Sequence, residues 1–121
     1  MEAYKVKFFY DLYSGKSPVE DYIEALSGKE QTKVVKYIEF LRQSEGVLDE
    51  PWTKHIRGKI RELRVDFAKN RHRIFFFTFI GRNIILLHAF QKRTAQTPDR
   101  EIIKAMTNYQ TVINNPRIYE K

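Results

Sequence analysis
Tyr4, Val6, Phe8 and Tyr10 alternate with Lys5, Lys7, Phe9 and Asp11, a period of two that predicts a strand over about residues 3–11. Tyr13-Ser14-Gly15-Lys16 supplies a turn, and Ser17-Pro18-Val19-Glu20 then combines a capping-box pattern with proline at the first helical position. Val19, Tyr22, Ile23 and Leu26 recur at helical spacing, with Gly28 as the expected stop. A second helix is predicted over residues 29–44, with Val34, Ile38 and Leu41 on its apolar face and Gly46 ending it. The short connection makes the two helices an antiparallel hairpin.

Leu48-Asp49-Glu50-Pro51-Trp52 predicts a loop, because Pro51 holds Glu50 away from helical backbone angles. From Ile60 to Phe67 the period returns to two: Arg61, Leu63, Val65 and Phe67 share one face, and Ile60, Glu62, Arg64 and Asp66 the other. The Leu63/Val65 face must pack on a core, which turns Arg64 toward the opposite surface. Lys69-Asn70-Arg71 makes a hairpin turn into His72–Phe79, a run apolar on both faces as a central strand is. After the turn at residues 80–83, Ile84–Phe90 completes a three-strand meander. Thr97-Pro98-Asp99 opens a last helix whose buried stripe is expected to include Ile102, Ile103, Met106, Tyr109 or Gln110, and Val112 or Ile113, and Asn114-Asn115-Pro116 stops it. The predicted order is β-α-α-β-β-β-α: a single α+β domain over residues 1–121, with an antiparallel sheet and helices packed on one face.

Charge changes this picture by being uneven. Residues 54–100 hold 12 Lys and Arg against three acids, a local balance of +9, whereas the rest of the chain sums to −2. Such a concentration on a sheet points to an anionic partner, since the summed field attracts phosphates and each neutralised phosphate releases counterions. With 42% hydrophobic and 14% aromatic residues the chain has enough apolar side chains to fold. Its lack of cysteine excludes disulfides and thiol chemistry. There is no apolar run of membrane-spanning length and no signal-peptide pattern at the start, so a cytoplasmic address is expected, with no membrane partner.

His55, His72 and His88 lie 17 and 16 residues apart, without metal-ligand spacing, and no GxxxxGK[ST], GxGxxG or GxSxG is present. No metal or cofactor is therefore expected. Cationic acid–base chemistry on a phosphodiester fits what is there. In RNA the neighbouring 2′-OH is a built-in nucleophile, so an enzyme needs a proton acceptor and cations that stabilise charge growing on the phosphoryl oxygens. Arginine suits the second task, while histidine and lysine are tunable for the first. A blander account applies to each residue taken singly. Any one Arg or Lys is as commonly a solvated surface charge, His88 between Leu87 and Ala89 as commonly a satisfied strand histidine, and Phe75-Phe76-Phe77 far more commonly core than a stacking platform.

Taken together, several motifs carry a resemblance: Glu62-Leu63-Arg64, HRIFFF at residues 72–77, LLHAFQKRTAQTP at residues 86–98, then Glu101-Ile102 and Ala105. On these the chain resembles type II toxins of the RelE/ParE superfamily, and within it the phage-derived Gp49-like, HigB-type branch. The resemblance covers residues 55–110 by motif and the remainder by element order. It implies a microbial-RNase-type fold and a ribosome-dependent mRNA endonuclease whose basic residues do the work. By position, Arg64 and Arg73 correspond to arginines lining the active face, and Lys92 and Arg93 to the basic pair after the last strand. Arg61 matches a further basic position, Lys59 more loosely, and Lys54, Arg57 and Arg71 complete the expected RNA- and ribosome-binding set. Arg61 also departs from the family, which commonly has Leu or Trp just before Glu-Leu-Arg. The general base stays open between His88 and Lys92. Implied partners are mRNA in the ribosomal A site, rRNA and a helix-turn-helix, HigA-like antitoxin through which alone operator DNA is contacted. A ParE-like gyrase poison and a non-catalytic RNA- or ribosome-binding module remain alternatives.

Overall fold
The structure is a computed structural model and describes residues 3–121. Nine elements follow one another: β1 (Lys5–Phe8), α1 (Pro18–Glu24), α2 (Gly28–Gln43), β2 (Thr53–Arg57), β3 (Ile60–Phe67), β4 (Asn70–Phe79), β5 (Asn83–Gln91), α3 (Asp99–Asn114) and α4 (Pro116–Tyr119). The strands form one sheet in the order β1-β5-β4-β3-β2. β2 to β5 are an antiparallel meander, but β1 runs parallel to β5, so the sheet is mixed.

The fold class is the expected α+β; besides the parallel β1, which makes the sheet mixed where an antiparallel one is expected, and the added α4, two corrections concern its layers and strands. Helices cover both faces, not one. Val19, Ile23, Val34, Ile38 and Leu41 of α1 and α2 meet Leu63, Val65, Ile74, Phe76, Ile84 and Leu86 on one face, while Ala105, Val112 and Tyr119 of α3 and α4 meet Ile60, Phe75, Phe77, Ile85 and Leu87 on the other. The physical reason is the doubly apolar β4: Phe75, Phe76 and Phe77 are each at most 1% exposed. Period two sends Phe76 to one side and its neighbours to the other, and burying each is worth about 1.5–3 kcal/mol, so both faces demand a cover. The second correction is β2, an edge strand that Lys54, His55 and Arg57 hide because only Thr53 is buried in it.

Ser17 caps α1, its hydroxyl accepting the Glu20 amide at 3.2 Å. Gly28 starts α2 instead of ending α1, and Thr97 does not cap α3: the N-cap is Pro98 and the Thr97 hydroxyl turns elsewhere. In α3 the buried residues are Glu101, Ala105 and Val112, with Ile102 and Tyr109 packed beside them, so the expected stripe holds at Ile102, Tyr109 and Val112 and fails at Ile103 and Met106, which are exposed as Ile113 is.

One irregularity matters downstream. Phe76 pairs with Leu86 but Phe75 pairs with His88, so Leu87 is an extra residue in β5, a β-bulge. Before it, even-numbered residues of β5 face α1 and α2 (Ile84, Leu86); after it Ala89 does, and Phe90 packs with the α3 cluster.

Candidate functional site
Alternation through β3 and β4 puts Glu62, Arg64 and Asp66 beside Arg71 and Arg73 on the α3-side face, at the end of the sheet away from Phe77. Arg64 sits directly across from Arg73 and Asp66 from Arg71. Two arginines opposed in a sheet repel, and the structure answers with a buried acid. Glu62, 1% exposed, holds Oε1 3.6 Å from the Nε of both arginines. Its Oε2 accepts the Thr97 hydroxyl at 3.4 Å, which ties the loop before α3 onto this face.

Arg73 is 2% exposed. Its Nη1 donates to Asp66 Oδ1 at 2.7 Å and to the His72 carbonyl at 3.0 Å, while its Nε, fully buried, has no hydrogen-bond partner. Burying a guanidinium is costly unless its charge is met, and here Glu62 Oε1 faces that Nε at 3.6 Å, an ion-pair contact beyond hydrogen-bond length. The Arg64 side chain is 30% exposed and is the arginine of the pair that meets solvent.

Lys92 continues β5 by one step, its amide donating to the Arg71 carbonyl at 2.8 Å. Two residues past Phe90, it points to the same face. Burial pushes its ammonium below the usual lysine range; Glu62 opposes this, and Arg73, Arg64 and Arg71 add to it by repulsion. Arg93 goes the other way. It is exposed, its Nη2 reaches Gln91 Oε1 at 3.4 Å, and its charge is felt by Tyr22 of α1. The two basic neighbours are therefore not equivalent.

His88 also lies on the α3 side, yet apart from the arginines. Its Nε2 is 2.7 Å from Glu101 Oε1 in the first turn of α3, its ring stacks on Phe90 at 6.1 Å, and it is 8% exposed. Burial pushes its pKa down, the Glu101 hydrogen bond and charge push it back up, and Lys104 lowers it. In register Phe90 lies across from Arg73, between it and the level of His88. His88 thus anchors α3 to β5.

The remaining candidates scatter. Lys54 is exposed and pairs in register with Glu62, so it borders the cationic face; Arg57 is exposed and reaches Met106 Sδ of α3 at 3.4 Å; Lys59 is exposed in the β2–β3 turn. Arg61 shares the Leu63 face, where its Nη2 donates to Thr53 Oγ1 at 3.0 Å, so it does not join Arg64. Sequence reasoning missed Glu62 and Asp66 as the acids that hold the arginines, although their spacing of two from Arg64 was there to be read. It also missed the buried network around His72. The histidine Nε2 meets Glu30 Oε2, its Nδ1 lies 2.6 Å from the Tyr22 hydroxyl, and Asn70 donates to Glu30 at 2.8 Å. Burial, with Glu30 adding to it, pushes the Tyr22 phenol up to about 12. No group of three or more His, Cys, Asp or Glu placed to hold a metal ion occurs among the described residues.

Residues 21–110 match the family described as Phage derived protein Gp49-like (DUF891). The chain belongs to that family. Gp49-like proteins are RelE/ParE-like toxins, in agreement with the branch that the motifs indicated. A toxin of this kind implies a cognate antitoxin. Comparison with curated proteins gave no match. Among the described residues, no helix is long and apolar enough to cross a membrane.

Proposed function
We propose that this Gp49-like toxin is a cytoplasmic mRNA endonuclease that cuts message in the ribosomal A site, and that a helix-turn-helix antitoxin, which also carries any contact with operator DNA, neutralises it. The observation that carries this reading is the convergence of Arg64, Arg73 and Lys92 on one face around a single buried carboxylate, with Lys92 shifted toward its neutral form.

Lys92 takes the 2′-hydroxyl proton; the 2′-oxygen forms a bond to the adjacent phosphorus as the bond to the 5′-oxygen breaks. The products are a 2′,3′-cyclic phosphate and a 5′-hydroxyl whose proton comes from water. Arg64 meets the phosphoryl oxygens directly, and Arg73 adds fixed positive charge from below. Glu62 keeps the two guanidinium groups from splaying apart. His88, our other candidate for the base, is occupied by Glu101. In-line attack needs the 2′-oxygen and the phosphorus held in place, and in this reading the ribosome supplies that positioning.

Mapping transcript ends after induction tests the reading. Breaks within codons of translated messages, and efficient cutting of ribosome-bound over naked RNA by purified protein, are the expected result. Intact transcripts with damaged DNA would mean a gyrase poison, and intact transcripts with stalled ribosomes a binding module.

A further inference from the structure
β2 begins with Thr53 paired to Leu63, so β3 beyond residue 63 has no strand on its outer side. The last tie is the Arg64 amide donating to the Trp52 carbonyl at 2.9 Å. The loop before β2 is folded back on itself, with the Trp52 and Thr53 amides both donating to the Asp49 carbonyl. Between this loop, α2 and the open margin of β3 is a cleft of about 270 Å³, lined by Lys33, Tyr37, Pro51, Trp52, Arg64 and Asp66.

The chemistry of that cleft is specific. Trp52 is 47% exposed, an indole left in water beside cations. Exposed aromatics next to positive charge are how single-stranded nucleic acid is held, because every base has a face to stack. Lys33 is already engaged: its ammonium lies 5.6 Å from the Tyr37 ring centroid and donates to the Asp66 carbonyl. The Asp66 carboxylate, 62% exposed at the side chain, repels a phosphate from the interior but accepts N–H groups. A base with amino or imino hydrogens suits the interior, and a phosphate suits the rim. Arg64 belongs to both regions, lining the cleft while its Nε faces Glu62 at 3.6 Å on the cationic face.

We propose that this cleft is a nucleobase subsite, in which one base of the RNA stacks on Trp52 while Arg64 holds the phosphate that joins it to the neighbouring nucleotide. The inference rests on the RNA-cleaving reading above and adds to it the element that selects sequence around the break.

Trp52 is the only tryptophan, so its fluorescence reports this cleft and the apolar hollow that Trp52 shares with Phe40 and Leu48, and Arg64→Ala, which touches only the cleft, tells the two apart by weakening the quenching. The full chain is titrated with 2′-O-methyl RNA tetranucleotides, which lack the attacking hydroxyl and stay intact. Binding is followed both by quenching of Trp52 and by anisotropy of a labelled copy. Saturable quenching that tracks anisotropy is expected; Trp52→Ala weakens binding roughly tenfold or more, and Trp52→Phe recovers most of it. No binding, binding without quenching, equal affinity of Trp52→Ala, or quenching by the antitoxin alone would each overturn the subsite. Cleavage separates the two readings. Quenching by tetranucleotides with no transcript cut in any context sinks the nuclease and leaves the subsite. Cleavage by Trp52→Ala with unchanged KM and unchanged base preference at the breaks sinks the subsite and leaves the nuclease.

Discussion
His72 and Arg73 are adjacent in β4 and almost equally buried, at 1% and 2% exposure, yet their two sides of the sheet are finished to different degrees. On the α1–α2 side both His72 nitrogens have partners, Tyr22 and Glu30, and Glu30 is in turn held by Asn70, which accepts from Gln91 at 2.9 Å. Across the sheet Arg73 keeps an unpartnered Nε, and its nearest acid on that side of the guanidinium stands at 3.6 Å. A closed network of this kind holds helices to strands, while across the sheet the charge of Arg73 is met and one of its donors is left over. The difference teaches that equal burial does not mean equally complete hydrogen bonding, and it makes the two sides unequal candidates for a role beyond the fold.

The largest test of this contrast is Lys92→Ala, which is expected to lower single-turnover cleavage of ribosome-bound message by about 10²–10⁴, the range for losing a general base. Because its pKa is lowered, the wild-type rate should climb with pH as the amine deprotonates and level off before the usual lysine range. A variant with wild-type rate and pH profile would return the base to His88. Next is Arg73→Ala, expected to cost about 10²–10³ in rate. It also leaves the buried Glu62 without the more buried of its two arginines, a loss of about 3–5 kcal/mol in denaturant unfolding. Arg73→Lys keeps the charge without the fork and should restore stability more than rate. Similar recovery of both would remove the geometric part of the argument.

On the finished side, His72→Phe leaves the Tyr22 hydroxyl unpaired and should cost about 1–3 kcal/mol of stability, with cleavage per folded molecule within a few-fold of wild type. A selective loss of cleavage would show that the two sides are coupled. A smaller effect belongs to His88. Its folded pKa lies below the unfolded value, so its neutral form stabilises the fold above about pH 6.5 and that contribution is lost as pH falls through the lowered value. His88→Gln should therefore flatten the decline in Tm as pH falls below about 6.5; an unchanged slope would contradict the burial argument. Smallest is Arg93→Ala, expected to weaken ribosome binding and reduce its salt slope by about one while leaving the chemical step intact.

Much of this was legible in the residues. Alternation gave the limits of β3 at Ile60–Phe67 and placed Arg64 opposite Leu63 and Val65, and the apolar run at residues 74–77 marked the central strand. β2 was not legible, because an edge strand with one covered face and exposed Lys54, His55 and Arg57 lacks the apolar repeat that identifies a strand. The second helical layer was missed because a run apolar on both faces fixes that both need covering without saying which helix goes where. Within the candidate site, the paired arginines follow from strand period, whereas the separation of His88 depends on its hydrogen bond to Glu101, 13 residues away and brought near only by the packing of α3 on the sheet.

The extra residue in β5 sets the phase of everything after it. Were the same residues laid out as a regular strand with no bulge at Leu87, counting by twos from Ile84 would carry Phe90 and Lys92 to the α1–α2 side and bring Arg93 round to face Arg73. That register would exchange a tunable amine for a permanently charged guanidinium at the reacting face without altering either side chain, whereas deleting Leu87 would remove the bulge and leave Lys92 where it is. The basic pair written into the sequence is thus a choice of two, and the bulge makes the choice.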